Sequence, residues 1–214
     1  MSQQFEPLIA GLVADLRPVK PLKLGRGLAL ALSALLACVT IVVLATGLRA
    51  DLLAGQLDPV FLLSAGLFLL LAVASSYTVI EMSRPRVGAY RDGWMWAGAT
   101  AALLPASAVL IAGIAWFRGA PLSVDSGGVT CLAIAVVLGL LVGLVLVLWL
   151  RKGAATSPER AGLLTGLAAG SSGIFAFALH CPHNDIVHIG LWHGLAVAVS
   201  AAIGRLVVPA AIRW

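Results

Sequence analysis

The sequence predicts an all-α, polytopic membrane protein with six transmembrane helices and both termini on the inner side. Three observations predict it. The 214-residue chain is 61% apolar and only 11% charged, whereas charged residues make up about 25% of an ordinary soluble domain. Its apolar residues gather into six runs, and about 20 apolar residues cross the hydrocarbon core as a helix. Its basic residues fall between alternate runs.

The runs lie at about 27–47, 59–81, 94–117, 129–150, 161–180 and 189–208. They divide the chain into a segment of residues 1–26 and a membrane domain of residues 27–214, with no separate soluble domain. Lys and Arg concentrate on the cytoplasmic side of membrane proteins. With the N-terminus inside, Arg17, Lys20, Lys23, Arg26, Arg84, Arg86, Arg91, Arg151, Lys152, Arg160, Arg205 and Arg213 all fall on the inner side, and Arg49 and Arg118 alone lie outside. The net charge of +5 is therefore a topology signal, and direct nucleic-acid binding is not expected.

Before the first span, Phe5, Leu8, Ile9, Leu12, Val13 and Leu16 recur at the spacing that lines one face of a helix. Pro18 and Pro21 end that helix, because proline lacks the N–H and restricts its predecessor. A helix lying on the inner leaflet usually carries several basic residues on its polar face. This one offers Gln3, Gln4, Glu6, Asp15 and Arg17, a pattern better suited to an apolar groove on a partner protein.

Span one is too long for a signal-peptide core and lacks a cleavage pattern behind it, and its Cys38 reads as a small buried hydrophobe. Span two ends at Glu81, within reach of Arg84 and Arg86. Pro105 is expected to kink span three. Gly139 and Gly143 in span four, Gly162, Gly166 and Gly170 in span five, and Gly190 and Gly194 in span six let helix backbones approach closely in lipid. Short connections make sequential spans antiparallel neighbours.

The spans are nearly free of the ionisable groups that mark transport paths and proton relays. No H-E-x-x-H, nucleophile elbow or phosphate loop is present, so no enzyme is predicted. What remains is a cluster at the outer surface. Cys131 enters span four from outside, and Cys181 follows span five where it leaves the membrane. All four histidines share that end: His180, His183, His188 and His193. Thiolate and imidazole suit zinc, copper and similar ions. His180, Cys181, His183 and His188 are thus candidate ligands of a transient metal ion, with Cys131 as a distant ligand or disulfide partner. No cofactor is otherwise indicated. His193, beside Trp192 and well into span six, reads as a packed interface residue.

Two stretches carry a family resemblance: Leu8-Ile9 through Ala14-Asp15-Leu16-Arg17-Pro18-Val19, and Leu179-His180-Cys181-Pro182 followed by Leu191-Trp192-His193-Gly194 and the closing Arg213-Trp214. With its six-span layout, the chain resembles the bacterial negative regulators of sigma F, six-span anti-sigma factors of the inner membrane. The resemblance implies that the inner N-terminal segment holds an extracytoplasmic-function sigma factor at the lipid bilayer. Phe5, Leu8, Ile9, Leu12, Val13 and Leu16 would make the contact, and Asp15 and Arg17 would orient it. It also implies that metal or oxidative stress sensed at Cys131 and Cys181 relieves the hold. His183 and Asn184 stand where the family often has acidic or small polar residues, which leaves ligand preference open. The rival reading is an envelope redox or metal-handling protein, either a thiol oxidoreductase partner or a carrier. An oxidoreductase usually shows C-x-x-C, whereas these cysteines are isolated on different spans.

Overall fold

A computed structural model describes residues 5–14, 21–84, 93–119 and 127–213. Among them there is helix and connecting turn and no strand. In chain order the elements are α1 (Glu6–Ala14), α2 (Leu24–Thr46), α3 (Ala50–Leu53), α4 (Pro59–Met82), α5 (Gly93–Phe117), α6 (Gly128–Leu150), α7 (Pro158–Ala178), α8 (Ile186–His188), a π-helical turn (Ile189–His193) and α9 (Gly194–Ala211). Five are long and apolar enough to cross a membrane: α2, α4, α6, α7 and the continuous run Ile186–Ala211. The third expected span coincides with α5, a 25-residue helix that continues through Pro105.

Local chemistry sets the ends. Asp58 caps α4, its Oδ1 accepting from Val60 N at 2.7 Å and Phe61 N at 3.2 Å, with Pro59 in the first turn. Carboxylate capping and an N-terminal proline both suit donors that have no intrahelical partner. α2 starts at Leu24, after an extended Lys23. The first span thus begins three residues before the expected 27, and Arg26 lies in its first turn instead of a preceding collar.

The bundle is built around α7, which is buried along almost its whole length and packs on α9, α6 and α4. It can occupy the centre because its residues are small. A methyl group on Gly166 would overlap the carbonyl of Ser200, and one on Gly173 would overlap the carbonyl of Ala135, so both positions require glycine for the backbones to meet. Its buried hydroxyls turn back on the helix: Thr165 donates to Ala161 O at 2.7 Å and Ser171 to Leu167 O at 2.5 Å. Such back-bonding satisfies a polar group where water is absent. The other helices turn leucines such as Leu36, Leu44, Leu63, Leu70, Leu140 and Leu206 outward, as a bundle bathed in lipid requires.

One end of the bundle is closed by polar ties. Trp149 Nε1 donates to Ser83 Oγ at 3.1 Å, and Ala154 N to Ser83 O at 2.9 Å. Arg84 reaches both Glu81, at 3.3 Å, and the Leu22 carbonyl, at 3.1 Å. Glu81 therefore has the Arg84 partner expected of it; Arg86 lies outside the described residues. The Cys/His cluster occupies the opposite end.

Candidate functional site

The cluster is built from the first turn of α6, the connection after α7, α8 and the π turn. Cys131 lies on the α6 face turned toward α7 and packs with Phe177 and Cys181. Cys181 closes the end of α7, its N–H donating to Phe177 O at 3.1 Å. Asp185 caps the next helix by accepting from His188 N at 3.2 Å, which fixes where His188 begins its turn. The Sγ atoms of Cys131 and Cys181 stand 3.9 Å apart, with no disulfide joining them. Cys181 Sγ lies 3.8 Å from His188 Nε2.

His193 completes the group. One ligand atom each from Cys131, Cys181, His188 and His193 falls within 4.8 Å of the other three, and all four residues are buried. The π turn explains how two residues five apart meet. At 3.6 residues per turn they would diverge by about 140° around a regular α-helix; the wider i→i+5 turn brings them to one side. Their rings stand edge to face, 5.3 Å between centroids. His193 also meets Phe68 edge-on, at 6.1 Å.

The structure brings some of the candidate ligands together and not others. Cys181 and His188 fall in the four-residue group with Cys131. His180 does not: its Nδ1 is 3.2 Å from the Gly47 carbonyl. His183 stacks on the ring of His188 at 4.7 Å and is outside the four-residue group. His193, expected as a packing residue, packs on Phe68 and also falls in the four-residue group. A π turn, which periodicity does not announce, delivers His193. Cys38 is apart from all this, buried in α2 with its thiol donating to Leu138 O at 3.2 Å.

A buried arginine fastens the connection beside the cluster. Arg49, in the α2–α3 turn, donates from its backbone to Leu179 O at 3.0 Å and from Nη2 to Asn184 Oδ1 at 2.8 Å. It pairs with Asp51 Oδ1 at 2.6 Å and lies over the Phe61 ring at 4.5 Å. The hydrogen bond from Arg49 holds the Asp51 carboxyl below its usual range. Within the cluster, the hydrogen bond from the Cys131 thiol lowers the Cys181 thiol. Burial opposes that shift, and His193 reinforces it. A lowered thiol is one prepared for metal binding or oxidation.

The N-terminal segment is a separate feature. Phe5, Leu8, Ile9, Leu12 and Val13 are all exposed on or beside α1, and no residue of that helix is buried. Asp15, Leu16 and Arg17 lie outside the described residues.

Residues 12–214 match the family described as negative regulator of sigma F. The chain is similar to a protein of Azospira oryzae named probable anti-sigma-F factor NrsF, with 30% identity over 225 residues, covering 98% of this chain and 99% of that one. No solved structure matches.

Proposed function

The chain belongs to the negative regulator of sigma F family, and on that premise we propose that it is an inner-membrane anti-sigma factor that holds an extracytoplasmic-function sigma factor through its N-terminal segment. As a member it is a negative regulator of a sigma factor, a non-enzymatic role. In this reading all six spans cross the bilayer, with both termini in the cytoplasm and the Cys/His cluster at the periplasmic end. A metal or oxidative signal received by Cys131 and Cys181 releases the partner.

The observation that carries the reading is α1, which presents Phe5, Leu8, Ile9, Leu12 and Val13 while burying none of them. A short helix with one apolar face and nothing packed on it among the described residues fits a groove in a partner. Burying five such side chains at about 1.5–3 kcal/mol each gives a gross term near 10 kcal/mol. Association and ordering then take back several kcal/mol, leaving about 5–7 kcal/mol, a contact of roughly 10–200 μM. The envelope redox reading fits less well, since both thiols are buried and an exchange partner needs access to sulfur.

Membrane vesicles carrying the full chain, or the chain lacking residues 1–17, test this when mixed with the cognate sigma factor and sedimented. The full chain is expected to carry the sigma factor into the pellet and the truncated chain to leave it in solution. Equal retention by both would refute the binding assignment.

A further inference from the structure

We propose that Cys131, Cys181, His188 and His193 form a closed, four-ligand site for a single divalent cation of the zinc class, seated at the end of the bundle where α6 begins and α7 ends. The inference deepens the sensing reading, on which it rests only for the idea that these thiols receive a signal.

Geometry is the first argument. Zinc lies about 2.3 Å from thiolate sulfur and about 2.0–2.1 Å from imidazole nitrogen in tetrahedral sites, which sets ligand-to-ligand edges of about 3.4–3.8 Å. The cluster already shows edges of 3.9 Å between the two sulfurs and 3.8 Å between Cys181 Sγ and His188 Nε2. The remaining ligand atoms lie within 4.8 Å, so contractions of at most about 1.4 Å complete the tetrahedron. A disulfide, at about 2.05 Å, demands a larger sulfur movement.

Chemistry is the second. Two thiolates and two imidazoles select zinc, cadmium or copper over magnesium and calcium. Binding displaces one proton from each thiol, so a dication with two thiolates is neutral overall. That matters in a pocket where all four residues are more than nine-tenths buried, since an uncompensated charge there would be costly. The buried Nε2 of His193 has no hydrogen-bond partner among the described residues, and a buried imidazole nitrogen without one costs free energy. Four protein ligands leave no open position, the pattern of a structural rather than a catalytic site. The π turn has a purpose on this view, because without it His188 and His193 would face apart.

Occupancy also sets what an oxidant can do. A sulfur bonded to the ion has its lone pair engaged, so the filled site protects Cys131 and Cys181 from oxidation.

The full-length protein, purified in detergent, reduced and stripped with a chelator, is titrated with cobalt(II) as a spectroscopic stand-in for zinc. One equivalent should raise thiolate-to-cobalt charge-transfer absorption and the visible bands of a tetrahedral ion, and zinc should abolish both. Cys131→Ser and His193→Ala should weaken binding on the order of a hundredfold or more, whereas His180→Ala and His183→Ala should keep one equivalent. His193→Cys replaces one ligand by another, and should keep one equivalent with shifted bands, which separates lost coordination from lost folding. No tetrahedral spectrum from the wild type, or an unchanged one from His193→Ala, overturns the site. Either result leaves sigma retention in the vesicle assay unaffected, while normal cobalt binding beside failed sigma retention overturns the anti-sigma reading alone.

Discussion

At the scale of single residues, two contacts decide most. Leu12 is 64% exposed on α1, so its side chain adds nothing to the fold and is free to contribute to a partner. Full burial of a leucine is worth about 2 kcal/mol, so Leu12→Ala should weaken sigma binding about thirtyfold while the melting temperature in detergent stays put, as titration by fluorescence anisotropy and a thermal scan would check. Arg49 works in the opposite way, inside the fold. Its partner Asp51 has a lowered carboxyl, and such a group stabilises the folded state above its unfolded value of about 3.9 and loses that contribution as pH falls through the lower folded value. The wild type should therefore melt higher than Asp51→Asn from pH 5 upward, and the gap should close as the solution is acidified below about pH 4. Equal melting at neutral pH would remove Asp51 from the anchor. At this scale the sequence was only half legible. Cys131, Cys181 and His188 stand out as metal-loving residues near one surface. His193 was hidden, because its role depends on a helix irregularity, and Arg49 was read for topology alone because its partners Asn184 and Leu179 are far away in the chain.

Elements were far more legible, since each apolar run and its bounding prolines, glycines and charges determine a helix locally. Pro59 and Pro158 stand in the first turns of α4 and α7, positions where a missing N–H costs nothing. Less visible was the rank of the helices. Of the five helices long and apolar enough to cross a membrane among the described residues, α7 is the least apolar, with a mean hydropathy of 1.5 against 3.2 for α6, yet it is the most buried. In lipid an apolar surface gains little by leaving its surroundings, so the inner place goes to the helix whose small residues allow close packing. Gly173 and Gly66 test this. A methyl at Gly173 meets the Ala135 carbonyl, while one at Gly66, on α4, meets nothing within 4 Å. Gly173→Ala should destabilise the bundle by about 1–3 kcal/mol or more. Gly66→Ala should be neutral or stabilising by up to about 1 kcal/mol. Denaturant titration in mixed micelles would read both, and equal effects would count against α7 as the packing centre.

For the whole molecule, the question is how an event among buried thiols reaches an apolar arm at the chain's other end. The thiols sit on α6 and just beyond α7, and α7 contacts α9, α6, α4 and α2, so anything that shifts α7 is felt throughout the bundle. Joining Cys131 to Cys181 shortens their 3.9 Å separation to about 2.05 Å, and helix displacements of one or two ångströms are a known form of transmission. The bond forms when each thiol gives up one proton and one electron. With diamide as oxidant, both pairs pass to its N=N bond, which becomes the hydrazine. A change of about 3 kcal/mol in the grip on the partner would alter affinity more than a hundredfold. Close packing around Gly166 and Gly173 favours discrete over graded movement, because backbones already in contact must shift together. Diamide treatment of metal-free vesicles should thus release most of the bound sigma factor. Cys131→Ser vesicles should keep theirs, and in zinc-loaded vesicles the 131–181 linkage should form more slowly because both sulfurs are engaged. Peptide mapping of unreduced protein would follow the 131–181 linkage alongside. Release without that linkage, or linkage without release, would break the proposed connection between the two ends of the molecule.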